Sequence, residues 1–439
     1  MINSSSRNKN MLSIYSRMAE QQMINETEDN FKTVFKYYKR RRPPPDLKDV
    51  VDFHEETPKE RFETLSPRLK DYQQSFCNND IKKLGLNPIS NWKCLKLLDI
   101  ESNGDRLSSG IIMVSNVFTE DGQLLWSLKC MKDYAKNPPN KTNVENLVRT
   151  YNYNGKKLTN QNVVAKPISS YKKIKLDEAQ ESKQGALILD TKLSESDTNN
   201  QKLECDPNLD YDWWANVYNK WYTERLDSTP DVTFTQYERI KTEIDELRWA
   251  TLGYHHNWDT KKYSDKSVSP FPNDLRDLCK IIISFIGELD QKDIRDEFIT
   301  GYKPEAAIVN FYPVNSSLGG HTDHSEPNRK APLLSFSFGL PAIFLCGGPT
   351  KETKPTAMVL RSGDILIMTE TAREKYHGVP RIFEGEMIQS IFGKEDDKQK
   401  ILQNQFENVD PELMNDSEST FTKMYLNNHR ININVRQVF

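Results

Sequence analysis

The spacing of hydrophobic positions changes near residue 300. Before it, short apolar runs are separated by long polar stretches; after it, brief β-like runs follow one another between turn residues. These runs are AAIVNFY, LLSFSFG, AIFLCGG, TAMVLRSGDILIM, YHGVPRIF and RININVRQVF. LLSFSFG and RININVR alternate with a period of two, the pattern of strands with one buried face. Ser362-Gly363-Asp364 reads as a hairpin turn inside the fourth run. Many short strands without intervening helices predict a double-sheet jelly roll (a double-stranded β-helix) or a barrel.

The earlier part reads differently. FKTVFKYYKRRR (31–42) has helical spacing and is stopped by Pro43-Pro44-Pro45. Residues 46–110 carry little signal, while 111–135 read as a strand, an Asp-Gly turn and a helix. The stretch 170–209 is rich in Lys, Glu, Ser, Asp and Asn without periodicity, which predicts a disordered insertion. Helical spacing returns at 210–221 and 237–249. The fold class is thus α+β, and five segments follow. They are a disordered or targeting terminus (1–30), a helical extension (31–169), the polar insertion (170–209), a region of supporting helices (210–300) and the jelly-roll core (301–439).

Composition narrows this picture. Hydrophobic residues make up 36% of the chain and mean hydropathy is -0.74, which suits one packed domain with long polar segments. A net charge of -3 excludes a globally basic nucleic-acid binder, so any such binding falls to a local patch. The six basic residues of 31–42 are one candidate, and Lys261-Lys262 another. A nuclear-import or nucleic-acid patch and a solvated amphipathic helix fit the first run equally. The six cysteines contain no Cys-x-x-Cys pair, which fits a reducing compartment. No apolar run approaches the roughly 18 residues of a membrane span, so no membrane partner is expected. The first 19 residues carry Arg7, Lys9 and Arg17 and no acid. A mitochondrial presequence and a plain Asn/Ser-rich terminus both fit.

Candidate chemistry begins with seven histidines. His321-Thr322-Asp323 places two donors on one side of a strand, and His377 follows 54 residues after Asp323, enough chain to cross a jelly roll and return. Two imidazoles and a carboxylate form the facial triad of non-haem iron(II) oxygenases. His-x-Asp alone also arises by chance, with His321 then a turn histidine. The last strand adds weight. Arg430, Asn432, Asn434 and Arg436 share one face over roughly 20 Å, and two arginines aimed into a barrel need an anion such as a dicarboxylate. An exposed edge strand is the competing reading. Asn310 and Tyr312 offer an amide and a phenol on one face of the strand before the triad.

Together, Asn-x-Tyr, His-x-Asp, a distal His and Arg-x-Asn-x-x-x-Arg resemble the AlkB family of nucleic-acid dioxygenases. LRWATLGYHHNWDTKKY (247–263), PLLSFSFG, PTAMVLRSGDILIM, HGVPR and NVRQV are similar to its homologue 1 branch. The resemblance covers about residues 210–439, with a fainter match at 29–53. It implies that His321, Asp323 and His377 bind Fe(II), and that Arg430 pairs with the distal carboxylate of 2-oxoglutarate. Asn310, Tyr312 and Arg436 would hold the chelating end, with Asn432 on the same face, and O2 is the second co-substrate. The implied reaction couples decarboxylation of 2-oxoglutarate to succinate and CO2 with oxidation of a base methyl group, lost as formaldehyde from nitrogen and retained as hydroxymethyl or formyl on carbon.

The implied partner is methylated tRNA or DNA, single-stranded or looped, because a base inside a duplex cannot reach buried iron. Implied substrates are N1-methyladenosine in tRNA, 5-methylcytosine in mitochondrial tRNA and N6-methyladenine in unpaired DNA. The 210–300 region would form a nucleotide-recognition lid. Trp214, Tyr254, His255, His256 and Glu326 would lie on the substrate side. Two positions depart from the family: His256 stands where the branch has Tyr, and Ser325 where the bacterial enzyme has an acid. Trp214 also fits a helix core. A monomer in mitochondrion and nucleus, with cytoplasm open, completes the expectation. A jelly-roll hydroxylase or demethylase acting on protein, such as histone, is the alternative, and a non-catalytic binding module the third reading.

Overall fold

The period-two runs become strands of two sheets with a cavity between them. The computed structural model describes residues 29–54, 61–66, 78–100, 106–144, 212–226, 240–289, 291–383 and 416–439. The targeting reading of 1–28, the 170–209 insertion and most of the acidic stretch at 384–420 lie outside the described residues.

The larger sheet runs, in spatial order, β2 (Phe62–Thr64), β3 (Lys93–Ile100), β4 (Arg106–Ser115), β13 (Ile365–Met368), β10 (Leu333–Gly339), β15 (His429–Arg436), β8 (Ala306–Pro313), β6 (Trp249–Asn257) and β5 (Lys141–Thr142). β7 (Lys262–Val268) pairs with β6. The smaller sheet is β1 (Val51–Asp52), β12 (Thr356–Leu360), β11 (Ala342–Cys346), β14 (His377–Ile382) and β9 (Leu318–His321). Neighbours are antiparallel except β1 and β12.

The alternation in LLSFSFG and RININVR sorts residues between two buried layers. Leu334, Phe336 and Phe338 of β10, with Ile431, Ile433 and Val435 of β15, join the core on the outer face of the larger sheet. The opposite face, with Ser335, Arg430 and Asn432, lines the cavity. The expectation of one solvated face is therefore corrected: all seven residues of β10 are buried. β15 lies between β10 and β8, so it is no edge strand.

Helices close the outer layer. α4 (Asn273–Gly287) places Leu275, Leu278, Cys279, Ile282, Ile283 and Ile286 on one stripe, all buried in that core. Each such aliphatic side chain contributes about 1.5–3 kcal/mol by burial. α3 (Trp213–Leu226) and α5 (Asp416–Leu426) add Trp213, Trp221 and Phe421 to it. α5 was not legible as a helix between the last two runs. Of 237–249, residues 240–244 are helical, and Trp249 already begins β6.

At the N-terminal end, the Asp29 side chain caps α1 (Asn30–Lys39), accepting from the Lys32 N–H at 2.7 Å. Phe31 and Tyr38 are buried while the basic residues face outward. Phe31 fills the space above Gly320 and Gly347; a Cβ on Gly320 would stand 2.4 Å from its ring. This seats α1 on the strand that leads to His321.

Two turn signals are also corrected. Asp121-Gly122 is not a turn but the first turn of α2 (Glu120–Lys129), whose Thr119 cap accepts from the Gly122 N–H at 2.9 Å. Gly122 is needed there because the helix start presses on the Gly85 backbone: a Cβ would lie 1.9 Å from the Gly85 oxygen. Gly122→Ala is expected to cost about 1–3 kcal/mol by overpacking; a chemical denaturation midpoint equal to wild type would contradict this contact. Ser362-Gly363-Asp364 likewise closes no hairpin, since β12 and β13 belong to different sheets. It is the corner where the chain crosses between them, with Asp364 accepting from the Arg361 N–H at 2.7 Å.

Candidate metal and co-substrate site

β9 ends at His321 and β14 begins at His377, and their register sets the two histidines opposite each other with ring centroids 4.4 Å apart. Asp323 lies two residues past the end of β9, so the loop rather than the pleat turns its carboxylate inward. Its Oδ1 stands 3.8 Å from His321 Nε2, and one donor atom from each of the three residues falls within 4.8 Å of the others.

The imidazoles are oriented from behind. His321 Nδ1 lies 2.9 Å from the Gly319 carbonyl and His377 Nδ1 3.1 Å from the Lys375 carbonyl. A carbonyl only accepts, so each Nδ1 donates to it, which leaves Nε2 as the ring nitrogen free to face a metal. Burial, followed by the neighbouring His321, lowers the His377 pKa to about 4, leaving it neutral near pH 7. Burial alone would raise the Asp323 pKa, but Arg436, then His377 and His321, outweigh it and hold the carboxyl well below its usual range. Two imidazoles and one carboxylate are the donor set that suits a divalent iron.

The cavity beside this triad has a volume of about 320 Å³. β15 sends Arg430, Asn432, Asn434 and Arg436 along one wall, and cross-strand pairing places Tyr312 opposite Arg430 and Asn310 opposite Asn432. Arg430 is 2% exposed. It donates to Ser337 Oγ at 2.6 Å and to the Leu340 and Leu360 carbonyls at 3.3 Å, while its Nε finds no partner. No carboxylate among the described residues pairs with it. Burial, the largest influence, lowers its pKa to about 10. A buried guanidinium with a free donor is a seat for an anion. Asn432 donates to Ser335 Oγ and the Phe336 carbonyl, both at 2.9 Å, which fixes its amide against β10.

The substrate-side expectations divide. His256 lines the cavity, with Nε2 3.1 Å from Ser325 Oγ, and burial lowers its pKa to about 4. Trp214 does not line it: it is 6% exposed in α3, stacked on Tyr218 and edge-on to Phe421, so the helix-core reading describes its place. Tyr254 packs edge-on against Phe439, and His255 is buried against Thr251 Oγ1 at 2.8 Å. Glu326 lines the cavity too, nearly buried, with its oxygens held by Arg436 and Arg373. Its carboxylate is thus already engaged by two arginines of this chain.

Residues not singled out from the sequence also line the cavity, Trp258 and Tyr263 among them. Both belong to the β6–β7 hairpin: Tyr263 pairs across with His256, and Trp258 lies in the turn, 4.6 Å from the His256 ring. The motif 247–263 contained both; the hairpin register that turns them inward was the missing signal.

Fold and site together define an oxygenase that works with iron(II) and 2-oxoglutarate. The family description "2OG-Fe(II) oxygenase superfamily" matches residues 212–436. The chain is 30% identical over 418 residues to mouse (Mus musculus) nucleic acid dioxygenase ALKBH1, covering 94% of this chain and 84% of that one. It is 39% identical over 197 residues to Arabidopsis thaliana DNA N(6)-methyladenine demethylase ALKBH1A, covering 44% and 49%. With Schizosaccharomyces pombe tRNA demethylase abh1 it shares 38% over 170 residues, covering 38% and 52%. The chain belongs to the 2OG-Fe(II) oxygenase superfamily and, within it, to the ALKBH1-like branch of the AlkB family. Membership brings Fe(II), 2-oxoglutarate and O2 as cofactor and co-substrates.

Proposed function

We propose that this chain oxidatively demethylates bases in single-stranded or looped nucleic acid. N1-methyladenosine in tRNA and N6-methyladenine in DNA are its candidate substrates, and 5-methylcytosine in tRNA is oxidised without loss of its carbon. The observation that carries this reading is the shared cavity. The donor triad and the buried arginines occupy its inner part, and His256, Trp258 and Tyr263 form an aromatic wall beside them. The names of the mouse, plant and yeast relatives point the same way.

His321, Asp323 and His377 are the proposed iron ligands, and Arg430 the proposed partner of the distal carboxylate of 2-oxoglutarate. Tyr312, opposite Arg430, stands beside the seat of that distal carboxylate; Asn310, opposite Asn432, is two positions further along the strand pair toward Arg436 and the chelating end, and Arg436 steadies the Asp323 side of the site. Iron(II), 2-oxoglutarate and O2 supply the oxidising equivalents for attack on a methyl group. The chain's own part is to orient the donors, exclude water from the inner cavity and hold a flipped base. Trp258, 39% exposed in the hairpin turn, is the proposed stacking surface, with Lys261 beside it and the basic face of α1 as phosphate contacts.

Incubation with Fe(II), ascorbate, 2-oxoglutarate and total tRNA, followed by nucleoside mass spectrometry, tests the reading. Loss of N1-methyladenosine with matching succinate is expected; unchanged nucleosides with no succinate would sink it. Succinate formed only when histone or another protein is added would turn the assignment to a protein substrate. Trp258→Ala should weaken binding of a single-stranded oligonucleotide by about 1–3 kcal/mol, roughly five- to 150-fold. Unaltered affinity in a fluorescence titration would leave the aromatic wall without a role in binding.

A further inference from the structure

Four charged side chains beside the triad alternate in sign along one line. Asp323 Oδ2 lies 3.0 Å from Arg436 Nη2, Arg436 Nε 2.8 Å from Glu326 Oε1, and Glu326 Oε2 3.2 Å from Arg373 Nη2. The Arg373 side chain is fully buried and Glu326's nearly so. The line is anchored at its far end: Arg373 Nη1 donates to the Ala331 carbonyl at 2.7 Å. Its backbone N–H donates to the Thr369 carbonyl, and the Thr369 hydroxyl donates to the Gly110 carbonyl of β4. Arg436 at the near end is therefore held by backbone of the larger sheet through two intervening side chains.

We propose that Glu326 and Arg373 are positioning residues for the metal site. They fix the Arg436 fork so that it takes Oδ2 of Asp323 and leaves Oδ1 as the single carboxylate oxygen available to the ion. This rests on the reading of His321, Asp323 and His377 as the metal ligands. Oδ1 is the oxygen nearer His321 Nε2, at 3.8 Å. A carboxylate free to rotate can chelate through both oxygens and take an extra coordination position. One whose second oxygen is held by a guanidinium binds through one atom and keeps three positions open. Buried ion pairs add little stability compared with apolar side chains of similar volume, so stability alone gives weak reason for four buried charges here. The Arg373 fork also matters: its Nη1 and Nη2 take the Ala331 carbonyl and Glu326 at once, whereas a lysine would meet the carboxylate as a point charge with no fixed direction.

The test uses the metal-free full chain with Mn(II) as the probe, read by calorimetric titration and by the Mn(II) electron paramagnetic resonance signal. The double variant Glu326→Gln/Arg373→Met removes both charges together, so no lone buried charge is left. It is expected to hold the thermal midpoint while weakening Mn(II) binding roughly ten- to 100-fold. It should also broaden the resonance as Asp323 loses its single orientation. Arg373→Lys, which keeps the charge and loses the fork, should fall between the double variant and wild type. A folded double variant with wild-type Mn(II) affinity and resonance would overturn the proposal. Should the double variant fail to fold, Arg373→Lys decides by the same two readings, wild-type values again overturning it. Mn(II) binding that survives His321→Ala would overturn the metal reading and this proposal with it. Loss of binding in His321→Ala beside an unaltered double variant overturns this proposal alone.

Discussion

Arg430→Met should raise the 2-oxoglutarate concentration needed for half-saturation by about 30-fold or more, while the protein without ligand keeps or gains thermal stability. The two halves of that result have one cause. Without an anion, Arg430 is a guanidinium buried at 2% exposure, held by a hydroxyl and two carbonyls, with its Nε–H left over and no carboxylate among the described residues paired with it. Its charge is costly there, as the lowering of its pKa to about 10 by burial indicates. Methionine fills much of the same volume with no charge to solvate. A bound carboxylate would reverse the balance, because removing one partner of a buried, hydrogen-bonded charge pair costs about 2–5 kcal/mol. Thermal melts with and without 2-oxoglutarate separate the effects. Wild type should be stabilised by about 2.7 kcal/mol at a ligand concentration 100 times its Kd, and the variant by less than about 1 kcal/mol at that same concentration. A melt that falls sharply without ligand, or a ligand shift as large as that of wild type, would show that Arg430 is structural rather than the seat of the anion.

His321→Ala should abolish metal binding and turnover together. His321 contributes one of three donors, and its imidazole is only part-buried, so alanine opens no large cavity in the core. The metal-free variant should therefore melt within a few degrees of wild type, while its affinity for Fe(II) or Mn(II) falls more than about 100-fold, beyond the loss typical of an outer-shell change. Turnover falls with it because two donors cannot hold the facial arrangement. Metal binding retained with activity lost would make His321 a substrate residue, and activity retained would remove the triad altogether.

The alternation in RININVR was enough to place Arg430, Asn432 and Arg436 on one face, because a strand's period is set by the backbone whatever surrounds it. The same logic found Asn310 and Tyr312. It did not by itself decide between a barrel interior and an exposed edge for that face, since a sequence shows which residues share a face but not whether water or a second sheet lies opposite. The turn signals failed for a related reason. Asp121-Gly122 looks like a chain reversal, yet the glycine is there for the approach of the Gly85 backbone, 37 residues away in the chain. Trp214 and Trp258 show the limit most plainly. Both are tryptophans in aromatic surroundings, and only the packing of α3 and the register of β6 with β7 send one to the core and the other to the cavity. The partnership of Glu326 with Arg373 crosses 47 residues and carries no periodic signature at all.

The position of β15 sets the timing of assembly. It follows every other described strand in chain order, yet it lies in the middle of the larger sheet and carries both arginines of the cavity. During synthesis, β8 and β10 have no partner for their facing edges until β15 emerges, so the two flanks of the sheet must wait apart, held by helices and loops. A ribosome-bound chain halted before residue 429 can form neither the finished sheet nor an anion seat. Until then the facing edges of β8 and β10 are unpaired strand edges, the kind of surface that makes an incompletely folded chain prone to aggregate.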